Sequence, residues 1–319
     1  MQVRVFNPFS YRGHNRILKS LDFVVHKSRL DYRMHNKLLI ADNAIALVGG
    51  RNIGNQYFQL DPASQFADDD VFTVGATVPA LSGSFDEFWN SDLAIPAVQL
   101  TRLKSSRAAA TFTPLASDYL SRIESGQPLS SMLSESAPLT WADGRVLYDS
   151  PEKRLIERRE SRGRLMSGAV EKEIEESTHD LVIVSPYFVP SDHELDLLKS
   201  ARSRNATVRI LTNSLESNPE LSADSGYEKV RLPLLQSGVT IYEVRARLDS
   251  VRGSGESRRI AQFGTYALHG KMYIFDRRRA LLGSWPSNVG LRIGTTQTSW
   301  SDARTAQSGA GFGYIWRTC

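Results

Sequence analysis

The sequence has one cysteine in 319 residues, Cys319, and it is the last residue of the chain. A disulfide bond within the chain is therefore excluded. No apolar run approaches the roughly 20 residues that a transmembrane helix needs, and no signal-peptide pattern is visible. Any contact of this piece of chain with a membrane is accordingly expected to be peripheral.

The chain is moderately basic, with a formal net charge of +4 and a length that can hold two domains. Its arginines form clusters at 158–159, 162–164, 245–247, 258–259 and 277–279. Such clusters suit an anionic partner, whether a lipid headgroup or a nucleic acid. Taken singly, each cluster is better explained as a solvated basic face.

A short motif occurs twice, 234 residues apart. The first copy runs from His35 to Asp42 (HNKLLIAD) and the second from His269 to Asp276 (HGKMYIFD), and a glycine turn follows each. The apolar run between each lysine and aspartate predicts a buried strand. One histidine-lysine pair alone would be a weak signal, but two copies with the same spacing indicate two large repeats.

The paired motifs indicate phosphodiester chemistry. Residues two apart in a strand point to the same face, so each repeat can place one imidazole and one ammonium in a shared pocket. Lysines can bind the non-bridging oxygens, while one histidine attacks phosphorus and the other protonates the leaving oxygen.

Residues 66–74 (FADDDVFTV) predict another strand with an acidic start, Asp68-Asp69-Asp70. Asp68 or Asp70 could accept a hydrogen bond from the far nitrogen of a catalytic histidine and so fix its tautomer. A charged strand edge or loop explains the same residues equally well.

At this point the chain resembles the phospholipase D superfamily, whose repeated HKD motif has this form. Further segments resemble bacterial cardiolipin synthases, those of the C type in particular. They are residues 33–37, 48–54, 85–90, 184–190 and 210–215, and the resemblance covers about residues 2–284.

The resemblance implies an α/β protein of two phospholipase D-like repeats around a pseudo-twofold axis. The strand–helix–strand rhythm of residues 181–244 independently indicates an α/β domain with largely parallel pairing. We predict a first repeat over 1–137, with a linker from about 101, and a second over 138–319. Both repeats are expected to be truncated at the chain ends.

The resemblance also implies a phosphatidyltransferase that makes cardiolipin from phosphatidylglycerol through a phosphatidyl-histidine, without a metal or other cofactor. We assign His35 as nucleophile and His269 as general acid, which predicts opposed pKa shifts. Asp42 and Asp276 are expected to support the motif strands rather than to move protons. The assigned motif residues are His35, Lys37, Asp42, His269, Lys271 and Asp276, and the predicted phosphate-binding residues are Asn52 and Ser284.

The end of the chain departs from the family pattern. Relatives continue the second motif with an asparagine and then an acid that orients a histidine. Here Trp285-Pro286-Ser287-Asn288 follows Ser284, and Asp302 is the only acidic side chain beyond it. Residues 285–319 also lose apolar periodicity and carry three of the five tryptophans. A frameshift near residue 285 is one hypothesis, and a divergent but genuine end is the other.

Two other functions stay open on the sequence. A phosphodiesterase or nuclease of the same superfamily would use water as the acceptor, and an inactive member would bind anionic lipid without turnover. We expect phosphatidylglycerol at a membrane surface as the partner rather than nucleic acid. The expected location is peripheral on the bacterial inner membrane, or cytoplasmic.

Overall fold

The computed structural model describes residues 1–11, 13, 15–26, 30, 33–58, 60–61, 63–100, 140–153, 165–218, 221–246, 265–283, 289–294 and 313–315. Within these ranges the chain is a mixed α/β protein, which confirms the predicted fold class. The strands form one seven-stranded sheet, one five-stranded sheet and two pairs.

The regular elements follow one another in this order. The strands are β1 (Arg4–Phe6), β2 (Leu38–Ala41), β3 (Ile45–Gly49), β4 (Ser64–Ala67), β5 (Asp70–Val74), β6 (Ala94–Pro96), β7 (Thr140–Trp141), β8 (Asp143–Tyr148), β9 (Asp180–Val184), β10 (Thr207–Asn213), β11 (Thr240–Val244), β12 (Thr265–Leu268), β13 (Met272–Phe275), β14 (Arg279–Gly283), β15 (Val289–Gly294) and β16 (Gly313–Ile315). The helices are α1 (Arg16–Val25), a 3₁₀ turn (Asn55–Phe58), α2 (Thr77–Asn90), α3 (Ala97–Leu100), α4 (Met166–Glu176), α5 (Asp192–Ser203) and α6 (Leu221–Gln236).

The seven-stranded sheet has the order β11-β10-β9-β13-β14-β15-β8. Strands β9, β10 and β11 pair in parallel, because α5 and α6 carry the chain back between them. The motif strand β13 pairs antiparallel with both β9 and β14, since a short turn at 276–278 joins it to β14. The expectation of largely parallel pairing is therefore correct for β9–β11 and wrong for the motif strands.

The five-stranded sheet has the order β2-β3-β5-β16-β7 and contains the first motif strand, β2. Its hairpin β2–β3 matches β13–β14 of the other sheet, as expected for a repeat. Two tail segments, β15 and β16, pair within the two sheets. The tail therefore supplies sheet strands, although the sequence shows little periodicity there. The origin of the tail and the predicted repeat boundary at 137/138 stay predictions.

The two halves share a hydrophobic core. Val48, Val71 and Leu81 from the first half are buried in one cluster with Ala280 and Leu282 from the second. A larger core lies between β9–β14 and the helices α4, α5 and α6. The shared cluster packs the hairpins β2–β3 and β13–β14 against each other, so the two motifs are held in one body.

Local sequence explains most helix boundaries, with some corrections. The sequence predicts Asp192 as the cap of the helix from Glu194, but Ser191 caps α5, because its side chain and that of Glu194 form a reciprocal capping box. The pattern from Leu81 to Asp92 predicts an amphipathic helix ending near Asn90, and α2 ends there but begins at Thr77. A helix predicted around 118–124 lies outside the described residues, and so does the loop predicted over 245–263 from residue 247 onward. None of the helices in the described ranges has the length and apolar character needed to cross a bilayer.

Candidate active site

The two histidine-lysine pairs adopt the same local geometry at the start of β2 and of β13. Lys37 Nζ donates to His35 O at 2.8 Å, and Lys271 Nζ donates to His269 O at 3.0 Å. The backbone N–H groups of Gly49 and Gly283 donate to the carbonyls of the two lysines, both at 3.3 Å. Each hairpin therefore presents its imidazole and ammonium in the same way.

The pairs also share one electrostatic environment. The pKa of His35 is lowered to about 4, first by desolvation and then by the positive charges of Lys37, Lys271, His269 and Arg33. The His35 residue as a whole remains exposed, so the desolvation reflects the protein around its ring rather than full burial. No carboxylate contacts His35 within the described ranges, and the imidazole is held neutral.

His269 lies in a more enclosed position and has a carboxylate partner from the other half of the chain. Its Nδ1 lies 2.6 Å from Asp68 Oδ2, and the side chains are 12% and 0% exposed. The Tyr57 ring meets the imidazole edge-on at 5.0 Å between centroids, and Phe66 lies at 5.8 Å. With Nδ1 engaged, Nε2 is the nitrogen left to face a substrate.

Strand pairing between the halves places Asp68 against His269. Strands β4 and β12 run in parallel, with Ala67 opposite Leu268. The backbone N–H groups of His269 and Gly270 both donate to Ala67 O, at 2.7 and 2.9 Å. The residues that follow the two strands, Asp68 and His269, are therefore adjacent although 201 residues separate them.

Of the two acids proposed as histidine partners, Asp68 contacts His269 and Asp70 contacts Arg51. Arg51 Nε donates to Asp70 Oδ2 at 2.6 Å, and its two terminal nitrogens donate to Tyr57 O at 2.6 Å and Asp68 O at 2.8 Å. Arg51 thus ties the acidic segment to the Tyr57 turn.

The glycine pair after the first motif is required by this close approach. A Cβ atom on Gly49 would overlap the carboxylate of Asp70, and one on Gly50 would overlap that of Asp68. Both positions therefore need a residue without a side chain.

The pKa of His269 is lowered as well, so the predicted opposition of the two histidine pKa shifts is wrong. Desolvation is the largest cause, followed by the hydrogen bond to Asp68, which raises the pKa, and by Lys271, which lowers it. Desolvation of both imidazoles, with the nearby ammonium groups of Lys37 and Lys271 as a smaller cause, explains the common direction. The remaining difference is the Asp68 carboxylate, which favours a proton on His269 only.

The lysines are themselves perturbed. Desolvation lowers the pKa of Lys271 to about 8, against a raising effect of Asp68, and it also lowers the pKa of Lys37. Crowded, partly dehydrated ammonium groups gain from an anion placed between them. The pocket is therefore suited to bind a phosphate group.

The other predicted site residues lie at different places. Asn52 Nδ2 donates to Tyr57 OH at 2.7 Å, at the edge of the His269 pocket. Ser284 lies outside the described residues. Asp276 follows the far end of β13, where its carboxylate accepts backbone N–H groups of Thr178, His179 and Asp180. Asp42 occupies the matching turn of the first hairpin, with a left-handed φ of 52° like that of Asp276. Both therefore occupy hairpin turns at the ends of the motif strands away from the histidines.

Three residues at the site carry no assignment from the sequence alone. Tyr57 and Arg51 build the wall and support described above. Asn213, buried at the end of β10, donates from Nδ2 to Leu268 O at 2.9 Å and accepts from Leu268 N at 2.8 Å. Its amide thus holds the residue before His269. The sequence signal that could have identified Asn213 is the segment 210–215, which resembles cardiolipin synthases.

Among the described residues, no group of three or more His, Cys, Asp or Glu side chains could hold a metal ion. Within the described residues, the positive charge of the site comes from Lys37 and Lys271.

The site built by two matching hairpins has a counterpart among known proteins. Residues 170–288 match the family model described as cardiolipin synthase, PLD-like domain. The fold is similar to the crystal structure of phosphatidylserine synthase from Haemophilus influenzae, with a TM-score of 0.50 and 15% identity, covering 83% of this chain and 58% of that one. The chain belongs to the phospholipase D superfamily.

Within that superfamily the chain is cardiolipin synthase-like. It is 30% identical over 293 residues to cardiolipin synthase C of Escherichia coli, an alignment that covers 89% of this chain and 60% of that protein. An uncharacterized protein of Helicobacter pylori is 29% identical over 304 residues, covering 89% of this chain and 56% of its own length. The chain therefore spans a little over half the length of these curated relatives.

Proposed function

We propose that this chain is part of a phosphatidyltransferase that makes cardiolipin from two molecules of phosphatidylglycerol. The single observation that carries the proposal is the unequal pair of histidines. His35 is kept neutral with a pKa near 4 and has no described carboxylate partner. His269 is hydrogen-bonded through Nδ1 to the buried Asp68. A neutral imidazole suits a nucleophile, and one backed by a carboxylate suits a proton carrier.

In the first half-reaction an imidazole nitrogen of His35 attacks the phosphorus of phosphatidylglycerol. A phosphorus–nitrogen bond forms as the bond to the glycerol oxygen breaks, and His269 Nε2 gives that oxygen its proton. Lys37 and Lys271 stabilise the charge on the non-bridging oxygens. The anionic substrate raises the pKa of His269 by Coulombic attraction and so favours the protonated acid that this step needs.

In the second half-reaction His269 Nε2 takes the proton from a hydroxyl of a second phosphatidylglycerol. That oxygen bonds to phosphorus while the phosphorus–nitrogen bond breaks, which releases cardiolipin and restores both histidines. The net change is two phosphatidylglycerol molecules to one cardiolipin and one glycerol. Use of water in place of the lipid hydroxyl would give phosphatidic acid instead.

The test incubates the chain with phosphatidylglycerol vesicles and follows lipids and glycerol by mass spectrometry. Cardiolipin is expected from the wild type and from His193→Ala, a control at an exposed histidine on α5, but not from His35→Ala. Phosphatidic acid without cardiolipin would overturn the transferase in favour of the hydrolase. Lipid binding without any turnover would favour the inactive member.

A second substrate separates the roles of the two histidines. A phosphatidyl ester of p-nitrophenol has a leaving group that departs without a proton. His269→Ala should therefore release a burst of about one equivalent of nitrophenol from this ester and then stall, because the second half-reaction still needs His269 as a base, and it should fail to turn over phosphatidylglycerol; His35→Ala should fail with both. The reverse pattern would exchange the assigned roles.

A further inference from the structure

Helix α1 turns an apolar face away from the protein. Ile17, Leu18, Leu21, Val24 and Val25 lie one helical turn apart along one side and are 44–73% exposed. An amphipathic helix of a globular protein ordinarily buries such a stripe. Five exposed aliphatic side chains in ten residues therefore mark this face as an interaction surface.

The exposed charged side chains of α1 are basic. Asp22 is the only acidic residue of α1, and it is buried, accepting from Tyr11 N at 2.9 Å and lying 2.8 Å from His26 Nδ1. Arg16 and Lys19 are exposed, and the sequence continues with further basic residues at 27 and 29. An apolar stripe beside basic side chains is the pattern of helices that lie in the surface of an anionic bilayer.

The position of α1 connects this face to the site. Leu30, buried at 3% exposure, anchors the chain after the helix. Arg33 then lies close enough to contribute to the lowered pKa of His35, and Met34, 44% exposed, lies between them in sequence. The exposed helix is thus separated from the nucleophile by one short, basic stretch.

We propose that the apolar face of α1, defined by Ile17, Leu18, Leu21, Val24 and Val25, docks on the surface of an anionic phospholipid bilayer. Docking there holds the first histidine-lysine pair at the headgroup level, where a phosphodiester substrate enters without leaving the membrane. The choice of this ligand rests on the proposed function, since that function takes its substrate from such a surface. A second copy of the chain, or another stretch of polypeptide, is the competing occupant.

The experiment places an environment-sensitive fluorophore on the helix. In a Cys319→Ser background, nitrobenzoxadiazole is attached at Val24→Cys and, as a matched control, at Leu232→Cys on α6, an exposed position in the other half. The probes are vesicles of phosphatidylglycerol with phosphatidylcholine, and vesicles of phosphatidylcholine alone. The label at position 24 should brighten and shift to the blue with the anionic vesicles only, and the label at 232 should not change.

Affinity is measured by vesicle sedimentation. The double substitution Leu21→Gln, Val25→Gln should weaken binding to the anionic vesicles by roughly tenfold or more, because it removes two apolar side chains from the buried face. Leu232→Gln, the same change at a leucine of similar exposure, should leave binding within about twofold. Added salt should weaken the binding of the wild type through the basic side chains.

The outcomes separate this inference from the proposed function. If vesicle binding depends on Leu21 and Val25 but no cardiolipin forms, the docking face is supported and the transferase is rejected. If cardiolipin forms and the double variant binds vesicles as well as the wild type, the transferase is supported and the docking face is rejected. A blue-shifted label at position 24 before any vesicle is added, or a dimer that the double substitution dissociates, assigns the face to protein and also overturns the proposal.

Discussion

Replacing Asp68 by asparagine should disable proton transfer by His269 while leaving the rest of the site in place. The carboxylate is fully buried and lies 2.6 Å from His269 Nδ1. Asparagine has the same shape but no charge to stabilise the imidazolium. A hydrogen bond to a charged group contributes about 1.5–3 kcal/mol, which corresponds to roughly a 10- to 150-fold loss in kcat. The loss should appear in kcat more than in KM, because the substrate phosphate is bound by the lysines.

The assay compares cardiolipin formation from phosphatidylglycerol with nitrophenol release from the activated ester. Asp68→Asn should slow cardiolipin formation strongly, but the first-turnover burst of nitrophenol should change little, because that leaving group departs without a proton. Asp69→Asn is the control: it removes the same charge one residue away, from a carboxylate with no described hydrogen bond to His269. A kcat for Asp68→Asn within threefold of the wild type, or an equal loss in Asp69→Asn, would refute the assignment of Asp68 to His269.

Three further predictions follow from the geometry. First, the pKa of His35 is near 4 and that of His269 is below its usual value. The pH profile of kcat/KM should therefore have its acidic limb near pH 4 and its basic limb below pH 6.5. An acidic limb at pH 6 or above would contradict the neutral nucleophile. Second, Asn213→Asp keeps the side-chain shape but loses the donors to Leu268 O and Pro186 O. It should lower the free energy of unfolding by about 1–3 kcal/mol, measured by urea denaturation. An unchanged denaturation midpoint would show that the Asn213 amide does not stabilise the fold. Third, Asp276→Asn tolerates the left-handed φ but loses the charge that accepts three backbone N–H groups, and should cost about 1–2 kcal/mol at neutral pH. Since the folded pKa of Asp276 is lowered, its contribution is present above the unfolded value of about 3.8 and is lost as pH falls through the folded value, so wild type and variant should converge in acid.

The two hairpins show which structural features the local sequence pattern predicts. The apolar run after each lysine predicted the strands β2 and β13, because a run of four apolar residues between turn signals is too short for a helix. The predicted burial is wrong for β2, where Leu39 is 60% exposed. The aspartates that end the motifs were expected to support the strands, and their left-handed turns follow from the tolerance of aspartate for positive φ. The apolar residues Ile17, Leu18, Leu21 and Phe23 predict helix α1 as well, but Ile17, Leu18 and Leu21 are exposed, and periodicity alone cannot tell which face is covered.

The sequence by itself determined the repeated chemistry: two histidine-lysine pairs, their strands, the glycine turns and the α/β class follow from residues near one another in the chain. Only the tertiary structure decided how those pairs differ. The parallel pairing of β4 with β12 brings Asp68 to His269 across 201 residues, while Arg51 takes Asp70. Desolvation of the two imidazoles and the nearby lysine charges lower both histidine pKa values. Such contacts depend on strand register and packing between the halves, and a nearly symmetric pair of motifs contains no local signal of either.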